Sequence, residues 1–289
     1  MARLKNGNKL FYGLISRVQS RGRRAWKRHA FERFATELPE AYRQAARLVV
    51  FAADLSLDER AFRNKIEGFR NEIRSVKPKL YSFDSPASGA FEKRADGHIA
   101  PGPYRSSMDN DQSGVSMGRG TLLRRIMIGI GAKRILELGT NIGLSGSYFL
   151  SAPNVSKLVT VEGSKDMCLI AERNMSSIAH GKFTIMNTLF DDAIDHISAT
   201  GDKFDCVFID GQHERNATWH YARRCIPLLN PRGIMIFDDC HWSEDMTRFW
   251  REAITSQEFS TTIDFADIGV CIPRAADEPK RHYDLRPYV

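Results

Sequence analysis

Residues 134–145 read RILELGTNIGLS: a short apolar run ending in an acid, then a turn with two glycines that opens a helical pattern. Ile135, Leu136 and Leu138 suit a strand buried on both faces, and Gly139 and Gly143 permit a tight turn with close main-chain approach. Ser145 falls in the first helical turn, whose free N–H groups face whatever lies beyond the strand end. Such a unit serves equally as an ordinary buried strand and helix or as a ligand cradle, so the rest of the chain must decide.

Downstream, the alternation is regular. Lys157–Val161, Phe183–Met186, Phe204–Ile209 and Ile234–Phe237 read as strands, with helical stretches at Lys165–Met175, Asp191–Ile197, Ala217–Leu229 and about Glu244–Ile254. Pro231-Arg232-Gly233 reads as the turn into the fifth strand of this series. Strands alternating with helices specify a parallel sheet covered on both faces. The last two runs, Phe259–Phe265 and Ile268–Ile272, are separated only by Ala266-Asp267, and so short a link requires an antiparallel pair.

The 289 residues carry a net charge of +7, placed unevenly: residues 1–50 hold 12 Lys and Arg against 3 Glu, leaving 30 basic and 32 acidic residues in the remainder. The body is near neutral, and the basic balance belongs to a 1–36 arm with an apolar patch from Leu10 to Val18 and a cluster at Arg21, Arg23, Arg24, Lys27 and Arg28. A solvated tail is the plain expectation for it. An amphipathic segment on an anionic membrane surface is the functional alternative, its scarcity of acids also resembles a transit peptide, and nucleic acid is not expected as a partner.

Residues 37–76 form a helical extension, in which Ser56 and Glu59 make a capping box and Phe62, Ile66, Phe69 and Ile73 share one face. From 77 to 116 prolines and glycines break the pattern into a long loop that could cover a substrate, and residues 119–131 then form a short helix. The catalytic domain is expected over 117–289. Five scattered cysteines without a C-x-x-C pair argue against a disulfide framework or a zinc site, and no run nears the roughly 18 apolar residues that span a bilayer. A cytoplasmic location fits, with the arm allowing peripheral contact at the inner face of a membrane.

In an open parallel sheet ligands bind beyond the carboxyl ends of the strands. Glu137, Glu162, Asp210, Asp238 and Asp239 all fall at or near that edge, which implies a polar ligand or a cation. Glu162, ending the second strand, is placed to accept both hydroxyls of a ribose, and the turn after the first strand would hold the rest of a nucleoside. Gly139-x-x-x-Gly143 is not the G-x-G-x-x-G of dinucleotide folds and no phosphate-binding lysine follows, which disfavours a nicotinamide-dependent dehydrogenase. Adjacent Asp238 and Asp239 would face opposite ways in a regular strand, so both can serve one site only if the chain turns there.

ELGTNIGLS, VEGS, FDCVFIDGQH and GIMIFDDCHW, in this order, resemble the class I S-adenosylmethionine-dependent methyltransferases, and within them the metal-dependent O-methyltransferases related to catechol O-methyltransferase. The resemblance runs from about Arg119 to Cys271 and implies a seven-stranded, mostly parallel, doubly wound Rossmann-like α/β sheet with an antiparallel last strand, here with a helical N-terminal extension. It implies that Glu137, Gly139, Thr140, Asn141, Gly143 and Ser145 surround the methionine part of the cofactor, that Glu162 with Gly163 holds the ribose, and that Thr188 to Phe190 flank the adenine. Asp210, counted with both the cofactor and the catalytic groups, matches with Asp238 and Asp239 the Mg²⁺ ligands of catechol O-methyltransferase, where the last is asparagine. His213 stands in the place of its catalytic lysine.

The expected activity is methyl transfer from S-adenosylmethionine to a hydroxyl of a small-molecule, sugar or lipid-linked acceptor, with a divalent metal, Mg²⁺ or a similar ion, orienting the acceptor and His213 acting as base. The alternatives are a metal-independent transferase using His213 alone, and a peripheral membrane or RNA-binding protein with a non-catalytic cofactor fold. Trp242 is expected to pack rather than bind, and His241 to support the site or touch substrate.

Overall fold

The computed structural model describes residues 29–51, 55–75, 81–82, 91–93, 99–101, 103–104, 114–275 and 278–288. The basic cluster from Arg21 to Arg28, the apolar patch before it and most of the 77–116 stretch lie outside the described residues. The described parts of that stretch are two short antiparallel pairs, Tyr81–Ser82 with Pro103–Tyr104 and Phe91–Lys93 with Ile99–Pro101.

One sheet organises the molecule. Its strands are β1 (Arg134–Leu138), β2 (Lys157–Val161), β3 (Phe183–Met186), β4 (Phe204–Ile209), β5 (Leu229–Phe237), β6 (Phe259–Asp264), β7 (Gly269–Pro273) and β8 (Arg281–Asp284). They lie in the order β8-β6-β7-β5-β4-β1-β2-β3. The five strands β1 to β5 run parallel, β7 is antiparallel to both β5 and β6, and β8 runs parallel to β6. The mostly parallel sheet and its antiparallel C-terminal pair are as the residue pattern predicts.

Two departures have local causes. The sheet has eight strands among the described residues rather than seven, because Arg281–Asp284, polar and short, takes its strand form only by pairing with β6. The fifth strand begins at Leu229, not Ile234, so Pro231-Arg232-Gly233 lies within it. The pairing with β4 is irregular at this point, between Phe204 and Cys206, where a proline costs no ladder bond. The preceding helix accordingly ends at Cys225 and tightens into a 3₁₀ turn over Ile226–Leu228.

Helices cover both faces. On one side lie α1 (29–37), α2 (Glu40–Phe51), α3 (Leu57–Ser75), α4 (Met117–Ile130), α5 (Leu144–Leu150) and α6 (Lys165–Ala179). Phe31, Tyr42, Ile66, Leu123 and Phe149 from this layer share one buried cluster with the sheet residues Ile135, Phe208 and Ile236. Phe31 and Ala35 are buried, so the chain already belongs to the folded body by α1. On the other side α7 (Phe190–Thr200), α8 (Arg215–Cys225) and α9 (Glu244–Thr255) bury Ile194, Trp219, Phe249 and Trp250 against Val207, Met235 and Phe237.

The capping box forms: Glu59 N donates to Ser56 Oγ at 3.1 Å and Ser56 N to Glu59 Oε2 at 2.9 Å. The same carboxylate accepts from Arg125 on α4, at 2.7 Å from Nε and 3.0 Å from Nη2, so one glutamate both starts α3 and docks it. Ile66 is fully buried and Phe69 packs at the core's edge, while the Ile73 side chain lies outside what is described. No helix among the described residues is long and apolar enough to cross a membrane.

Candidate active site

The turn after β1 is built by main-chain demands. Gly139 has φ +108, and a Cβ there would lie 2.0 Å from the Asp210 carbonyl oxygen, so only glycine lets β1 and β4 end side by side. Asn141 follows at φ +49, and its side-chain Oδ1 accepts from Ile142 N at 2.7 Å, a local bond that suits asparagine to the left-handed region. Gly143, also at positive φ, caps α5.

Beneath this turn Glu137 is wholly buried, and its charge is answered by hydroxyls alone. Ser145 Oγ donates to Oε1, Thr160 Oγ1 donates to Oε2 at 2.5 Å, and Thr140 Oγ1 lies 2.5 Å from the Thr160 hydroxyl. Burial outweighs those bonds and pushes the carboxyl up to about 7. Glu137, Thr140 and Ser145 therefore support the turn from below.

Glu162 closes the turn from β2. Its Oε2 accepts Asn141 N at 2.8 Å and its Oε1 accepts Ser164 N at 2.9 Å, and the Gly163 N–H also bonds the carboxylate, so both oxygens are fixed. Burial raises its pKa against the pull of these N–H groups. Asn187 Nδ2 donates to the Glu162 and Gly163 carbonyls at 2.9 and 3.1 Å and holds that strand end to the β3 side. Phe190 reaches Gly211, where an added Cβ would meet its ring at 2.9 Å, whereas Thr188 lies at the surface with its hydroxyl 3.5 Å from Asp192.

The remaining acids meet at the ends of β4 and β5. Asp239 takes φ +55, so the chain does turn after Asp238 and both carboxylates reach one group. That group is the guanidinium of Arg119: Nη1 donates to Asp239 Oδ1 at 2.7 Å and to Asp238 Oδ1 at 3.2 Å, and Nη2 lies 3.0 Å from Asp267 Oδ2. Ser116 caps α4 by accepting from Arg119 N at 3.4 Å, which sets the arginine in the first helical turn facing the strand ends.

Gln212 at φ +49 bends the chain after Asp210 and brings His213 back over the edge. Its Nε2 lies 3.8 Å from both Asp210 Oδ1 and Asp239 Oδ2, beyond hydrogen-bond reach of either. Burial lowers the imidazole pKa, opposed by Asp239 and reinforced by Arg119, so the neutral base is the prevailing form at pH 7. Burial pushes Asp238 up to about 7 against the pull of Arg119, and Asp210 is raised well above the carboxylate range by burial and by the charges of Asp238 and Asp239.

The comparisons agree with this architecture. Residues 136–240 match a family model described as a methyltransferase domain. The SAH-bound methyltransferase of Podospora anserina superposes with a TM-score of 0.52 at 14% identity over 73% of this chain and 88% of that one, and shows the shared fold. An SAH-complexed O-methyltransferase from Bacillus cereus is 22% identical, covering 55% of this chain and 83% of that one, with a TM-score of 0.47. TomG, an O-methyltransferase from Streptomyces achromogenes in complex with SAM, is 19% identical over 56% and 82% of the two chains, with a TM-score of 0.48. Among curated proteins none matches the sequence.

Along this sheet edge the residues expected from sequence converge as two groups: Gly139, Asn141, Gly143, Glu162 and Gly163 at the β1–β2 end, and Asp210, His213, Asp238 and Asp239 at the β4–β5 end. Trp242 departs from expectation. It is 69% exposed rather than packed, with its ring centroid 5.7 Å from that of His213. His241 is held by Asp264, its Nε2 2.8 Å from Oδ2, behind the site. Arg119 carries the largest group that sequence reasoning missed.

Proposed function

We propose that this chain is an S-adenosylmethionine-dependent O-methyltransferase acting on a hydroxyl of a small-molecule, sugar or lipid-linked acceptor. The observation that carries the reading is the pairing of a pre-set carboxylate with a neutral base on one sheet edge. Glu162 is locked by the Asn141 and Ser164 N–H groups at 2.8 and 2.9 Å, and His213 stands over the neighbouring strand ends between Asp210 and Asp239.

The donor set fits a nucleoside. Glu162 presents a fixed carboxylate at the end of β2 for a ribose hydroxyl, the turn from Gly139 to Gly143 lies beside it, and Phe190 packs against Gly211 at the third strand's end. S-adenosylmethionine, when bound, supplies an electrophilic methyl carbon on a sulfonium.

The protein's own part is positioning and proton removal. Holding the acceptor oxygen in line contributes on the order of 7–11 kcal/mol to a displacement of this kind. His213 Nε2 takes the hydroxyl proton, and the carboxylate of Asp239, 3.8 Å away, stabilises the imidazolium that forms. Trp242, exposed beside His213, offers a flat wall to the acceptor. A divalent metal on Asp210, Asp238 and Asp239, the second reading of proton removal, meets the Arg119 guanidinium already bonded to two of the three carboxyls.

The test is transfer of labelled methyl from S-adenosylmethionine to a panel of catechols, sugars and lipid-linked alcohols, with the product's O-methyl position read by mass spectrometry. Label on oxygen that is lost in His213→Ala supports the reading. Label on nitrogen, or transfer unaffected by His213→Ala, contradicts it.

A further inference from the structure

Arg119 stands in the first turn of α4, where the helix presents its own partial positive charge and a cation is unfavourable unless acids answer it. Three acids do. Asp238 and Asp239 come from the end of β5, Asp267 from the β6–β7 turn, and all three lie within 3.2 Å of the guanidinium nitrogens. The bonds to Asp238 and Asp239 span 119 and 120 residues of chain, so they are set by the fold and not by local sequence.

This arrangement bears directly on the metal that the family resemblance implies. A magnesium ion takes near-octahedral oxygen at about 2.0–2.1 Å. Asp238 Oδ1 and Asp239 Oδ1, two oxygens it would need, both accept from Arg119 Nη1. Asp210 Oδ1 and Asp239 Oδ2 each lie 3.8 Å from His213 Nε2. Among the described residues no group of three His, Cys, Asp or Glu side chains is arranged to hold a metal ion. As placed, the trio does not fit a divalent cation, which would have to displace the guanidinium or share its carboxylates with it.

We propose that Arg119 is the resident cation of this site: its guanidinium occupies the position between Asp238 and Asp239, and methyl transfer here needs no divalent metal. The inference rests on reading this edge as the methyl-transfer site. Guanidinium suits the role because it is permanently charged and its planar fork of N–H donors can engage several carboxylates at once.

The experiment is a Mn²⁺ titration of the full chain, followed by the electron paramagnetic resonance of free Mn²⁺, on wild type, Asp238→Asn, Arg119→Lys and Arg119→Met. Wild type and Arg119→Lys are expected to show no saturable binding up to millimolar Mn²⁺. Arg119→Met, which frees the carboxylates, is expected to bind roughly tenfold or more tightly than wild type. Saturable binding to wild type that Asp238→Asn removes would overturn the proposal, as would a folded Arg119→Met that binds no better than wild type. If Arg119→Met does not fold, the wild-type and Asp238→Asn pair decides alone. S-adenosylmethionine binding, measured on the same wild-type sample, reports separately on the methyl-transfer reading.

Discussion

Glu162 Oε2 accepts the main-chain N–H of Asn141 at 2.8 Å, tying the end of β2 to the left-handed turn that follows β1. The bond makes the carboxylate a part of the backbone architecture as well as a ligand group. Its second oxygen is fixed in the same way by Ser164 N, so the charge is aimed before any ligand arrives.

Glu162→Ala is therefore expected to weaken S-adenosylmethionine binding by on the order of 10–100-fold, the worth of one charge-assisted hydrogen bond at about 1.5–3 kcal/mol. Glu162→Gln, which keeps one acceptor, should lose less. Calorimetric titration of the three proteins checks the ranking, and equal affinities would exclude a ribose contact.

Glu137 gives a stability prediction with a definite sign. Its carboxyl is raised from 4.5 to about 7 by burial, so the folded state binds the proton more tightly than the unfolded chain. Stability from this group is fully present below about pH 4.5, falls as pH rises through about 7, and is level above that. The loss is about 3 kcal/mol at 1.36 kcal/mol per unit. Glu137→Gln should flatten the decline, and urea unfolding at pH 5 and pH 8 measures it. A wild type that gains stability between those values would contradict the assignment.

His213→Ala is expected to lower kcat by roughly 10²–10⁴ while leaving cofactor affinity within about twofold. Because burial holds the imidazole below its ordinary 6.5, the acid limb of the kcat/KM profile should fall below that value, with a plateau through neutral pH. Trp242→Ala, at a largely exposed position, should change stability by less than about 0.5 kcal/mol and raise the acceptor KM.

Gly139→Ala sets φ +108 against a Cβ and drives that Cβ into the Asp210 carbonyl. The expected result is a destabilisation of more than about 1 kcal/mol, read as a lowered Tm with impaired cofactor binding. An unchanged Tm would show that the strand ends are not in contact.

Much of this site is legible in the chain because strand ends announce themselves. Apolar runs closing on Glu162, Asp210 and Asp238 place those acids on one edge by topology alone, and the glycine turn after β1 marks where a ligand lies. Whether Asp238 and Asp239 could serve one site depended on a single backbone angle, the φ of +55 at Asp239, which no periodicity encodes. Arg119 was hidden for a different reason: its partners lie more than a hundred residues away. Its one local trace is an arginine in a first helical turn that contains no acid, a placement the helix dipole disfavours. The eighth strand is short and polar and exists through its pairing with β6, so its own residues carry no signal.

The measurement that tests the account most directly is a calorimetric titration of the full chain with S-adenosylmethionine, beside the same titration of Glu162→Ala. Saturable binding to wild type that is weakened on the order of 10–100-fold in the variant is the predicted result. No saturable binding to a folded wild-type protein would contradict the central claim that this sheet edge is a methyl-donor site.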